Sequence, residues 1–522
     1  MGSIVNENPV VRIRPFSNVY IGTGNGLVKK AVKRGLDALG GLPKFIKPGQ
    51  SVFIKPNLTA AKDEMSGGVT DIRMVRALIE LIQEECEAGH IMVGENTLVG
   101  EIIGNYFRDR GWVSMCEELG VELVDFNHDE WDDYPLEDGM YLKSARLPKK
   151  VVESDVYITM ALLKNHDTVR LTGAIKNGFG LLCDPERKEC HRKYAVEQCI
   201  VDINRIRKPD LCIIDGRIGS EGIAGGTHFN HPRFANRIII GDDPVATDAV
   251  CAHVMEANPR VLHLQWADEY GLGNANLDYI NFYGMPLDEA KVHFMSPADE
   301  FEEETEGKLH VHDCGSCTRC AIAVQGALHR FNSPDSIAHT AEIIYGPGEV
   351  DFEKKGRNEK FILIGDCVRE EYRKLGVFLP GCPVSQEDFM KAMADSDILC
   401  TACAKTVQKW LERHTPEELS FLRILSSNKT VFQGSNNKSQ ATDYTLCVGQ
   451  CQMEYFYHHF FRTQKELEHQ GIALDPHDLI IGIRNHHVTE EQIEEAYQKL
   501  KAHHDSHIEE IEKAKTSVFS DF

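Results

Sequence analysis

An α/β fold, a mostly parallel sheet under covering helices, is predicted for the first 285 or so residues of this 522-residue chain, and three observations predict it. Short apolar runs alternate with stretches whose apolar residues recur at helical spacing. Several runs lead straight into polar clusters: KPN at 55–57, GEN at 94–96, LLKNHD at 162–167, DGRIGSEG at 215–222 and GDDP at 241–244. No glycine-rich dinucleotide motif or P-loop follows a strand, so the sheet is not read as a nucleotide binder of those kinds. In an open parallel sheet, ligands sit outside the carboxyl ends of the strands, where such clusters gather.

The elements follow in order. Residues 26–39 have helical spacing and end in Gly40-Gly41; residues 51–54 (SVFI) form a strand entering KPN. Ile72, Val75, Leu78, Ile79 and Ile82 make one helical stripe, and 91–93 is the next strand. Further strands are expected at 121–126, 156–160, 211–214 and 238–240. Beyond this α/β domain of residues 1–285, residues 286–310 hold Pro297 and the acidic run Asp299 to Glu304, which reads as a solvated linker. A cysteine-rich segment, 311–405, comes next, and a mainly helical C-terminal region, 406–522, closes the chain. There, Thr415-Pro416-Glu417-Glu418 and Thr489 with Gln492 are capping boxes, and 426–439, rich in Ser and Asn, reads as a mobile loop.

Composition narrows the partners. Apolar residues are 42% and charged residues 26%, as in globular proteins, and the net charge of −23 repels nucleic acid and anionic lipid. No apolar run approaches the roughly 18 residues of a membrane helix. The start lacks the apolar core of a secretory signal, and Asn6 stands where a myristoylation signal has Ser or Thr. A soluble, cytoplasmic protein without nucleic-acid or membrane partners is expected; a homo-oligomer is compatible with it. Its sixteen cysteines then lie in a reducing compartment, where clusters bind metal or do redox chemistry.

The sharpest cluster is Cys314-Gly315-Ser316-Cys317-Thr318-Arg319-Cys320. Thiolates at three-residue intervals on a tight loop converge on one face of an iron–sulfur cube, and iron relieves their repulsion. The fourth ligand of a 4Fe–4S cluster is expected from Cys382, in Gly381-Cys382-Pro383, with Cys367 as the alternative. Zinc, which prefers paired C-x2-C knuckles, is the competing occupant. Cys400, Cys403, Cys447 and Cys451 form a second candidate metal site, for which ordinary helix-borne cysteines are an equal explanation.

In the first domain, Lys164, His166, Lys176 and Asn177 cluster near one strand end, with His191 a little beyond and Lys55 and Asn57 at a neighbouring end. Two lysines and two histidines there make a cationic pocket suited to a carboxylate, phosphate or enolate, and a desolvated lysine can act as base. Lys164, His166 and Lys176 are the expected catalytic groups; Lys55, Asn57, Asn177 and His191 are the expected substrate contacts. The competing view is that KPN, KN and GDDP are turns, with Pro56 and Pro244 fixing φ.

Lys55-Pro56-Asn57-Leu58, Gly68-Val69-Thr70-Asp71, Leu163-Lys164-Asn165-His166, Thr172-Gly173-Ala174-Ile175-Lys176-Asn177 with Gly180, the glycines from Gly219 to Gly226, and Gly241-Asp242-Asp243-Pro244-Val245-Ala246-Thr247-Asp248 together resemble the successive blocks of the domain of unknown function 362 family. The resemblance covers residues 10–275 and implies iron–sulfur binding by an appended cysteine-rich portion. It also implies a distant likeness to the amino-terminal domain of lactate racemase, which handles small hydroxy acids with a nickel-pincer nucleotide. The combined expectation is an iron–sulfur oxidoreductase of anaerobic metabolism, acting on a small anionic organic substrate and exchanging electrons with a donor or acceptor protein. Its rivals are a non-catalytic electron-transfer or assembly protein, and a lactate-racemase-like isomerase with a structural cluster.

Overall fold

The computed structural model describes residues 15–24, 26–58, 63–96, 103–167, 169–193, 195–223, 231–257, 261–328, 331, 334–352, 358, 360–400, 402–426, 429–433, 444–449, 480–483 and 487–518. The chain forms two compact units: residues 1–300 with 315–322, and residues 301–314 with 323–522.

The first unit is built on strands β1 (Ser17–Gly22), β2 (Ser51–Pro56), β3 (His90–Glu95), β4 (Glu122–Asp125), the hairpin β5 (Trp131–Pro135) and β6 (Ser144–Pro148), then β7 (Val156–His166), β8 (Arg170–Thr172), β9 (Leu211–Glu221), β10 (His231–Arg233), β11 (Arg237–Gly241) and β12 (Ile280–Gly284). The main sheet runs β12-β1-β11-β9-β7-β2-β3-β4, with β8 added to β7 and β10 to β9. Neighbours along this path are parallel except β11, which is antiparallel to both β1 and β9. Strand alternation places Ile54, Ile158, Met160 and Ile213 in the core under helices Val28–Ala38 and Ile72–Glu85. It places Phe53, Tyr157, Ala161 and Ile214 in the opposite core, with helices Val196–Ile206 and Pro244–Val254. Both faces are covered, which is why these strands are apolar almost throughout.

Three expectations change here. The strand expected to end at Met160 runs on to His166, because β8 folds back and pairs Lys164 with Thr172, Asn165 with Leu171 and His166 with Arg170. The acidic run is not simply solvated. Pro297–Glu304 is a helix, and Glu300 is buried, its carboxylate accepting from the Ile223 amide and lying 3.2 Å from His231 Nε2. The cysteines were expected reduced, yet Cys190 and Cys199 are joined as a disulfide between helices Asp184–Arg192 and Val196–Ile206.

The second unit has two sheets. Strands β13 (Leu309–Asp313), β14 (Ala341–Tyr345), β15 (Phe361–Ile364) and β16 (Val377–Leu379) are parallel and lie in that order. Strands β17 (Arg423–Ser426), β18 (Lys429–Gln433), β19 (Thr445–Val448) and β20 (Ile480–Ile483) lie in the order β18-β17-β19-β20. Helices Ala402–Leu411 and Glu490–Val518 supply the expected helical character, while this second sheet was not anticipated. Strand β18 falls inside 426–439, so that stretch is not one loop. Thr489 and Gln492 form their reciprocal capping hydrogen bonds at 3.0 and 3.3 Å, directly before the long helix. Thr415 and Glu418 form the same bonds, at 2.8 and 3.3 Å, on a turn instead. Among the described residues no helix is long and apolar enough to cross a membrane.

Candidate active site

The carboxyl ends of β2 and β3 carry Lys55 and Glu95 on neighbouring parallel strands, while Lys164 lies further along β7, beyond Thr159, the register partner of Lys55. Lys55 is fully buried and forms an ion pair with Glu95, and it donates to Asn177 Oδ1 at 3.2 Å. An ion pair this dry is retained only with such supporting hydrogen bonds. Asn177 in turn donates to Thr159 Oγ1 at 2.9 Å and accepts from Asn57 Nδ2 at 3.1 Å. Asn57 and Asn177 therefore knit the end of β2 and the body of β7 at Thr159 to the short helix Ala174–Asn177.

Two glycines of that segment stand in close approach to buried polar side chains. A Cβ on Gly180 would stand 3.1 Å from both Lys55 Nζ and Glu95 Oε1. A Cβ on Gly173 would stand 2.1 Å from Asp248 Oδ1, which accepts from the Ala174 amide at 2.6 Å while Asp248 Oδ2 accepts from Ile175 at 3.0 Å. Burial pushes the Asp248 carboxyl up to about 7, against those two hydrogen bonds. Asp248 thus pins the start of the helix that presents Lys176.

Lys164 is 2% exposed and donates to the carbonyl oxygen of Gly68 at 3.3 Å. Burial, seconded by the charge of Lys176, brings its amine down to about 7 against the pull of Asp167. Lys176 is half-buried, and desolvation brings it to about 8, with Lys55 and Arg187 adding to the depression. His166 donates Nδ1–H to Asp167 Oδ1 at 2.7 Å, and burial with Lys176 nearby lowers the imidazole to about 4. It is neutral at pH 7. His191 is exposed and meets the Phe179 ring edge-on at 5.5 Å.

The sequence does not single out Glu95, Asp167, Arg170, Arg187, Asp248 or His263. The first two and Asp248 lie in polar blocks that follow strands, which is a usable signal; their pairing with Lys55, His166 and the 174–175 amides is a matter of packing. His263 is fully buried, and the charges of Lys176 and Arg170 help burial hold it neutral.

The cysteine run divides between the units. Segment 315–322 belongs to the first, where Ser316 Oγ accepts from the Arg170 guanidinium at 3.0 Å and the Thr318 amide donates to Glu197 Oε1 at 3.2 Å. Arg170 takes a left-handed φ of 68°, uncommon for a non-glycine residue. Cys317 and Cys320 are in hydrogen-bond contact, which, helped by Arg319, draws the Cys317 thiol down to about 5. A Cys317 thiol drawn toward thiolate beside a second sulfur suits a soft metal. In the second unit, Cys314 follows β13, whereas Cys367 and Cys382 follow β15 and β16, two and three strands away. Among the described residues no three His, Cys, Asp or Glu side chains are placed to share one metal ion. Cys317 and Cys320 supply two of the four sulfurs that a 4Fe–4S cluster takes, and within the second unit Cys314 and Cys382 follow the two outermost strands of one sheet. Cys403 sits in an apolar core and burial pushes Cys447 up to about 12, while Cys451 lies outside the described residues.

Residues 52–253 match the family model described as Domain of unknown function (DUF362). The matched DUF362 stretch contains every residue of the Lys55–Lys164–Lys176 cluster and ends beyond Asp248; the cysteine run lies outside it. A protein named as thylakoid-associated, from Synechocystis, is 26% identical over 239 residues, 45% of this chain and 72% of that protein. The lactate racemase apoprotein of Thermoanaerobacterium thermosaccharolyticum aligns at 11% identity with a TM-score of 0.30, over 74% of this chain and 92% of that one. A Thermotoga maritima protein aligns at 13% identity with a TM-score of 0.24, over 38% and 53%.

Proposed function

We propose that the first unit binds a small organic carboxylate at the carboxyl edge of its sheet and moves a proton on it, as an isomerase-type enzyme. The observation that carries this reading is that the charge of Lys176 reaches and depresses the buried Lys164, with Asp167 acting on both lysines and Glu95 ion-paired to Lys55. A substrate carboxylate between the two amines relieves their repulsion. Near neutral pH, Lys164 is half in its neutral form and can accept a proton from carbon. Lys176 is still mostly cationic and can stabilise the enolate that results. His166, neutral and with its one N–H on Asp167, leaves Nε2 as an acceptor for a substrate hydroxyl. Titration calorimetry with two- to six-carbon hydroxy and oxo acids tests the binding step: at least one should bind, and Lys164→Met and Lys176→Met should each weaken it tenfold or more, about 1.4 kcal/mol. Equal affinity in all three proteins would contradict the reading.

A second reading, an iron–sulfur redox protein, is favoured by the contact between Cys317 and Cys320 beside Arg170, whose ladder partner is His166. Such a cluster would supply single electrons near the same strand end. Iron and acid-labile sulfide analysis of anaerobically purified protein separates the two: stoichiometric iron and sulfide support it, and zinc or no metal with intact carboxylate binding leaves the first alone.

A further inference from the structure

Two helices of the first unit grip the segment that presents Lys176, and a disulfide joins them. Asn204, on helix Val196–Ile206, is buried and donates to the Ile175 carbonyl oxygen at 2.7 Å. A Cβ on Gly178 would stand 3.3 Å from the same Asn204 Nδ2, so this helix runs close against the segment. His191, on helix Asp184–Arg192, meets the buried Phe179 ring edge-on at 5.5 Å. Phe179 adjoins Gly180, the residue set closely against Lys55 and Glu95. Cys190 immediately precedes His191, and its bond to Cys199 crosses to the helix that carries Asn204. Both cysteines are fully buried. The rest of helix Asp184–Arg192 buries only Arg187, and a short helix with so little buried surface opens locally at small cost. The disulfide is therefore a principal attachment of this helix to its neighbour.

We propose that the Cys190–Cys199 disulfide is a reversible redox clasp that positions the Lys176 segment, and that its reduction weakens the carboxylate site; the second part rests on the carboxylate reading. With the bond closed, His191 on Phe179 and Asn204 on Ile175 belong to one frame. With it open, helix Asp184–Arg192 is released, and the stretch from Lys176 to Phe179 loses one of its two supports. The co-reactant is a dithiol, which reaches the buried sulfurs when that helix opens. One thiolate of the dithiol attacks a sulfur of the pair, breaking the Cys190–Cys199 bond and forming a mixed disulfide. Its second thiolate attacks the dithiol's own sulfur in that mixed disulfide, closing the reductant's disulfide and expelling the protein thiolate. Two electrons pass from the dithiol to the protein sulfurs, and the dithiol's two protons end on Cys190 and Cys199.

The test uses the full-length chain, oxidised with glutathione disulfide and desalted, with one half then reduced by dithiothreitol. Peptide mass spectrometry should find Cys190 linked to Cys199 in the first half and both alkylated separately in the second. Hydrogen–deuterium exchange over residues 174–192 should be about tenfold faster in the reduced protein. In calorimetry with the two- to six-carbon hydroxy and oxo acids, an acid bound by the oxidised form should bind the reduced form with about fivefold lower affinity or less. The double variant Cys190→Ala, Cys199→Ala should behave as the reduced form whether or not dithiothreitol is present. If neither form binds any acid, the carboxylate reading falls, while faster exchange on reduction still supports the clasp. Unchanged exchange on reduction, equal affinity of both forms for a bound acid, or separate alkylation of the two cysteines in the oxidised half would overturn the proposal and leave the carboxylate reading to its own test.

Discussion

Lys164 carries the strongest titration signature among the groups proposed to meet substrate. Its amine is held near 7 in the folded chain against an ordinary 10.5, so between those two values the unfolded chain binds the extra proton. Stability from this group is therefore present in full above the upper value and is lost as pH falls through the lower. Urea unfolding between pH 7 and 10 should show stability rising with pH, with Lys164 contributing up to about 1.4 kcal/mol per pH unit. Lys164→Met should remove that share of the slope; an unchanged slope would mean the amine is not buried as described. Asp248 acts in a separate window. Its carboxyl lies near 7 folded against 3.8 ordinarily, so the folded chain binds the extra proton there and stability falls as pH rises across that interval.

At the level of elements, two buried aspartates distinguish positioning from plain stability. Asp202 is fully buried and accepts from the amides of Met140, Tyr141 and Leu142 at 2.7–2.9 Å. Asp248 accepts from Ala174 and Ile175, at the start of the helix carrying Lys176. Each substitution to Ala orphans buried amides and should cost roughly 2–4 kcal/mol in chemical denaturation. Only Asp248→Ala should also weaken carboxylate binding at a temperature where both variants are folded; equal binding by the two would remove Asp248 from the positioning role. Much of this scaffold was legible in sequence. The strand before KPN, the helix stripe from Ile72 to Ile82 and the block from Gly241 to Asp248 all fall where apolar period and turn residues place them. β8 was not: Arg170–Thr172 has three residues and no period to read, and its pairing is what turns Lys164 and His166 into strand residues. The second sheet of the second unit was obscured for a like reason, since each of its strands has only four or five residues.

Over the whole molecule, the net charge is −23, and the carboxylate site proposed at Lys164 and Lys176 lies within that field. Long-range repulsion of an anion is screened by salt, since the Debye length falls from about 30 Å at 0.01 M to about 8 Å at 0.15 M, whereas buried contacts are screened much less. The association rate of a binding carboxylate should therefore rise with ionic strength over that range in stopped-flow measurements; a steep fall would show that attraction governs the approach. The lysines of the site were visible in the sequence as residue types, but Lys55 and Glu95 are 40 positions apart, and no spacing rule announces that they neutralise each other. The cysteine run was equally visible, and its division between two units was not. Proton transfer at carbon is the central claim, and deuterium uptake at the α-carbon of the best-binding hydroxy acid, or at the carbon next to the keto group of the best-binding oxo acid, followed by proton NMR in heavy water, tests it most directly. The account predicts uptake that climbs as pH rises through about 7 and falls at least a hundredfold in Lys164→Met, about 2.7 kcal/mol. Uptake at the same rate in that variant, or none in the native protein with the acid bound, would contradict it.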